Sequence, residues 1–113
     1  MTIDEVIARA GARWPHAHGE AQLTPVVLAC ENMARTEVLG LPACEAAPAA
    51  LAVPAPYDGL YEHYLVAMIA QMDGEYSRYN AEMSLFSTLW DGFAKQQRRE
   101  RLPARGAEVT GGA

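Results

Sequence analysis

An all-α fold, with four helices and a long proline-bearing loop between the second and third, follows from three features of the sequence. The larger apolar side chains recur three and four residues apart in four separate windows, the spacing of one face of a helix. Pro42, Pro48, Pro54 and Pro56 crowd a single segment and forbid regular helix through most of it. At 113 residues the chain has room for one domain.

The first helix is predicted over Ile3 to Arg13. Thr2 and Glu5 have the spacing of a capping box, Ile3, Val6, Ile7 and Ala10 form the apolar stripe, and Pro15 stops the run after Trp14. Thr24 and Pro25 read as N-cap and first position of a second helix over Pro25 to Val38. That helix buries Val26, Val27, Cys30, Met33 and Val38, and Gly40 closes it. The loop from Gly40 to Pro56 packs down at Val53–Pro56 and is expected to be mobile over Ala43–Ala50.

Asp58 is the predicted N-cap of a third helix ending at Met72, whose stripe is Tyr61, Tyr64, Leu65, Met68, Ile69 and Met72. Asp73-Gly74 breaks it. A fourth helix from Glu75 to Arg99 buries Tyr76, Tyr79, Met83, Phe86, Leu89 or Trp90, and Phe93. It would be roughly 37 Å long, longer than its partners. Residues 1–102 thus form a single helical domain, and 103–113, rich in glycine, a flexible tail.

A formal net charge of −5 argues against duplex binding, which is driven by neutralising phosphates. The cations gather once, at Lys95, Arg98, Arg99, Arg101 and Arg105; a solvated helix end or a docking site for an acidic partner both account for them. With two cysteines and no signal segment, the chain reads as reduced and intracellular. His16-x-His18 lacks the third and fourth ligands zinc requires. His63 reads as a hydrogen-bonded surface or interface residue, and Glu31, Glu37, Asp73 and Glu75 as solvated carboxylates. With no phosphate loop, nucleophile elbow or catalytic cysteine–histidine pattern, neither an enzyme nor a cofactor is expected.

The five tyrosines, Tyr57, Tyr61, Tyr64, Tyr76 and Tyr79, all fall around one predicted helical hairpin. Tyrosine joins an apolar body to a polar tip, which suits half-wet core edges and protein interfaces alike. Tyr64 and Tyr79 are assigned to the core, and Tyr57 and Tyr61 are the interface candidates, beside Pro54 and Pro56.

On Val53-Pro54-Ala55-Pro56-Tyr57-Asp58, Leu60-Tyr61, His63-Tyr64-Leu65, then Gly74-Glu75-Tyr76, Tyr79-Asn80, Met83 and Phe86, the chain resembles a family of small head–tail connector (adaptor) proteins of tailed bacteriophages and prophages. Weaker likeness extends to Thr2–Ile7 and Trp14-Pro15. The resemblance implies a structural virion protein with a bundle-like connector fold. It would assemble as a ring, twelvefold like the portal, bridge portal to head-closure or tail proteins, and let DNA pass through without sequence-specific binding. In that setting Pro54, Pro56, Tyr57 and Tyr61 would make subunit or portal contacts, and Arg98, Arg99 and Arg101 would dock on an acidic neighbour. The competing reading is a small prophage-encoded regulator that binds another protein or a nucleic acid, which calls for a basic recognition helix.

Overall fold

The computed structural model describes the backbone of residues 1–112 and the side chains of residues 1–100. The chain is all-α: α1 (Ile3–Arg13), α2 (Glu20–Met33), α3 (Leu60–Met72) and α4 (Tyr76–Gly112), with no strand among the described residues. Helix α3 is the centre, packed by α1, α2 and α4, while α2 reaches α4 only through the turns that extend it.

Helix α1 has the predicted bounds. Thr2 Oγ1 accepts from the Glu5 amide at 3.2 Å and the Glu5 carboxylate accepts from the Thr2 amide at 3.0 Å. Both ends of this device are local in sequence, so nothing distant has to be known to place it.

Helix α2 starts earlier than the sequence predicts. Gly19 is its N-cap and Pro25 lies inside it, at the sixth position. One intrahelical bond is forgone there, and Thr24, instead of capping, returns its hydroxyl to the Glu20 carbonyl at 3.0 Å. The gain is Leu23, fully buried and worth about 1.5–3 kcal/mol out of water. Beyond Met33 the helix widens into π turns over Ala34–Leu39, and Gly40, at φ +67°, closes them with its amide on the Arg35 carbonyl.

The long loop is tied at several points. Asn32 Nδ2 donates to the Cys44 carbonyl at 3.1 Å and Asn32 Oδ1 accepts from the Cys44 amide at 2.7 Å. The Leu51 amide donates to the Met1 carbonyl at 2.8 Å, and Leu51 and Val53 are both buried. Asp58 does not cap α3; the chain turns through Tyr57–Gly59, with the Leu60 amide on the Tyr57 carbonyl at 3.0 Å.

Helix α4 starts at Tyr76 and runs past the predicted end at Arg99 into the stretch expected to be a tail; side chains from residue 101 on lie outside the described residues. Its inner face is Glu82, Phe86 and Phe93, with Met83, Leu89 and Trp90 partly buried. Tyr76 and Met72, both assigned inward from the sequence, are 66% and 43% exposed because they sit at the two sides of the α3–α4 turn, where Met72 meets α2 only through Gln22 and the edge of a hollow.

Gly92 lets the incoming loop approach α4: a Cβ there would lie 2.8 Å from Tyr57 Cε1. Gly92→Ala therefore sets a helix-propensity gain of about 1 kcal/mol against overpacking of about 1–3 kcal/mol. The expected net is a loss of about 1 kcal/mol, reversing to a gain in a Tyr57→Ala background, read by urea denaturation. A stabilising Gly92→Ala in the natural chain would refute the close approach.

Candidate functional site

Two carboxylates are buried, Glu31, which the sequence presents as a solvated helix-surface group, and Glu82, and each gathers a cluster. Glu31 follows Leu23 and Val27 by eight and four residues, so the inward face of α2 carries it into the core. Its Oε1 accepts from the Tyr61 hydroxyl at 2.6 Å, and both oxygens lie 3.1 Å from the Ala52 amide. Arg35 stands one turn on, at 3.5 Å. The Tyr61 oxygen in turn accepts from the Val53 amide at 2.9 Å. Burial, together with the bond to Glu31, raises the Tyr61 phenol well above its usual range. Cys30 is buried beside them, and burial likewise raises its thiol, leaving it protonated and inert.

Tyr61 is thus an internal strut. The sequence makes it an interface candidate, but it is fully buried and its polar tip is spent on α2 and the loop. Tyr57 is partly covered, with its ring 6.4 Å from that of Phe93. Pro54 and Pro56 are exposed at the surface of the same loop, and Arg98 and Arg99 are exposed on α4. The loop prolines and the arginines belong to separate elements; the Arg101 side chain lies outside the described residues.

The second cluster joins α1, α3 and α4. Arg13 grips Glu82 with two bonds, at 2.9 and 2.8 Å, and also pairs with Glu62. His63 Nδ1 donates to Glu82 Oε1 at 2.8 Å, and Arg78 stands at 3.5 Å from the other oxygen while covering the Trp14 ring at 4.4 Å. Burial alone would push the Glu82 carboxyl up; the bonds from Arg13 and His63 outweigh it and hold the group down at about 2. His18 forms a third, outer tie, with Nε2 donating to Asp73 at 2.7 Å, a bond that raises its imidazole above the ordinary value.

Sequence reasoning missed Glu31 and Glu82 because residue type outweighed position. The signal was there: Glu82 lies four residues before Phe86 and eleven before Phe93, on their face. Among the described residues no three His, Cys, Asp or Glu side chains come together as a metal-binding group, and no helix is long and apolar enough to cross a membrane.

The open surface lies on the other side, along α2 and the π turns that extend it. One hollow of about 320 Å³ is lined by Pro25, Val26 and Ala29 of α2 and Tyr64, Met68 and Met72 of α3. A smaller one, about 170 Å³, lies where the π turns meet α4, between Glu37 and Val38 and Ala94, Gln97 and Arg98. The Tyr64 ring, 5.3 Å from Phe86, floors the space between them. Comparisons of the chain with protein families, with curated proteins and with solved structures give no match.

Glu31→Ala strands the Tyr61 hydroxyl and the Ala52 amide, and should cost about 3–5 kcal/mol; Tyr61→Phe should cost about 1–2 kcal/mol. Because the two share one bond, the double variant should lose less than the sum, measured by chemical denaturation; strict additivity would dissolve the cluster.

The Glu82 carboxyl ordinarily titrates near 4.5 and is held at about 2 in the fold. Its contribution, on the order of 3 kcal/mol, is complete above about pH 4.5 and drains away as pH falls toward 2. Glu82→Gln should flatten that part of the acid-unfolding profile. An unchanged slope would show that another carboxyl carries it.

Proposed function

We propose that the protein is a structural adaptor that works by docking on other proteins, and that its setting is the head–tail junction of a tailed phage or prophage particle. The observation that carries the docking reading is α4. At 37 residues it spans about 55 Å, against about 20 Å for α3, and the last described side chain it buries is Phe93. From Ala94 to Glu100 no described side chain of α4 is buried, so this stretch offers a surface that the described core does not use. Three further features support the reading: exposed Pro54 and Pro56, the exposed pair Arg98 and Arg99, and an apolar hollow between α2 and α3.

The phage setting rests on the sequence resemblance around Val53–Asp58 and Gly74–Phe86. In that setting the chain is one subunit of a ring below the portal, Arg98, Arg99 and Arg101 meet an acidic neighbour, and head-closure or tail proteins bind the opposite side. The net charge of −5 suits a ring that DNA crosses without adhering. Its place is then the virion, and the host cytoplasm during assembly.

Co-sedimentation with the portal protein encoded nearby, followed by electron microscopy, tests the assignment. A ring of added density at the portal's narrow end is the expected result; absence of association would refute the setting. Charge reversal at Arg98 and Arg99 should weaken that association roughly tenfold or more while leaving helicity unchanged.

A further inference from the structure

We infer that the open side of the bundle pairs two copies of this chain about a two-fold axis, α4 against α4 in antiparallel register. Tyr76, Met83, Trp90 and Gln97 recur every seven residues along α4, the repeat that keeps a seam facing a second helix. At helical spacing they flank Phe86 on one side of α4, and the Phe86 ring lies 5.3 Å from that of Tyr64. At its far end the seam reaches the smaller hollow, which Gln97 lines with Ala94 and Arg98. Its apolar members are left part-covered by their own chain: Tyr76 is 66% exposed, Met72 43%, and Met83 and Trp90 are half-buried.

Charge selects the occupant. One end of the seam carries Glu75 and the other Arg98, both exposed and with no ion pair among the described residues. Between them the rim is uncharged on that side, with Asn80, Ser87 and Ala94. A second copy laid antiparallel, with the axis near Phe86 and Ser87, sets Glu75 against Arg98 twice, Tyr76 against Gln97, and Met83 against Trp90, a favourable sulfur–aromatic contact. A parallel copy would oppose like charges. The strip is roughly 30 Å long and one helix wide, a few hundred Å² per copy, so the pairing is a weak one. Arg98 is committed in the pair, so a copy that docks elsewhere through Arg98 first leaves its twin. The inference rests on these faces alone, whatever the docking partner.

Sedimentation equilibrium of the full chain from about 1 µM to about 1 mM reads it, since an interface this small belongs in the micromolar range or weaker. A monomer–dimer equilibrium is expected. Tyr76→Ala should raise the dimer Kd by about tenfold. Arg98→Glu and Glu75→Lys should each raise it by a similar factor, and the two together should restore it, because each swap then faces its complement across the axis. A monomer throughout, a larger closed assembly, or a dimer indifferent to Tyr76 and to the charge swap would each overturn the pairing.

Discussion

The Glu31 carboxylate, removed from water at the centre of the molecule, is the constraint on which the rest of the arrangement depends. Taking a charge out of water costs several kcal/mol unless donors replace the hydration it loses. The donors here come from three places: the Tyr61 hydroxyl on α3, the Ala52 amide in the loop, and Arg35 one turn along its own helix. Each can reach only if its element is correctly set. The loop must carry Leu51 and Val53 inward, α3 must present Tyr61 toward α2, and α2 must be rotated so that Glu31 shares a face with Leu23 and Val27.

Glu82 performs the corresponding service on the opposite flank. Arg13 and His63 bring α1 and α3 to it, and Arg78, covering Trp14, seals the outside. Burial of Val6, Leu65, Val66 and Phe93 provides the bulk of the favourable free energy, but apolar contact has no direction. The two carboxylates supply direction. One orders α2, the loop and α3; the other orders α1, α3 and α4. Because α3 belongs to both, it sits in the middle, with Tyr61 facing one carboxylate and His63, two residues on, facing the other.

What could be read in the sequence was what local chemistry decides. The α1 cap, its stop before Pro15, the break at Gly74 and the all-α class all rest on residues within a few positions of one another. The start of α2 was not legible. Pro25 is a strong local signal for a first helical turn, and it lost to Leu23, whose burial depends on helices far along the chain. Glu31 and Glu82 were illegible for a related reason: a carboxylate in a helical stripe looks solvated until its donors are known, and those donors stand up to 69 residues away. The bond to Glu31, 30 residues away in the chain, likewise turned Tyr61 from a surface candidate into a strut. The exposed candidates, Pro54, Pro56, Arg98 and Arg99, kept their exposure because nothing in the fold competes for them.

The two flanks of α3 therefore differ in kind. On the α1 side, ion pairs and a cation over an aromatic ring close the seam, and charged side chains are used up within the chain. On the α2 side, the seam stays open, because α2 and α4 contact each other only at the π turns. Three helices around a fourth leave one gap. On the same side, Ala29, Met68 and Tyr64 line the hollow between α2 and α3, where the other flank has arginines and glutamates, and this leaves apolar surface in water. A chain of this size with both signs of charge at hand could have covered it, as it covered the opposite flank. On the docking proposed above, the uncovered flank is where a partner would complete the bundle, and α4, which meets the π turns at its lower end, is the element that would carry its effect to the rest of the fold.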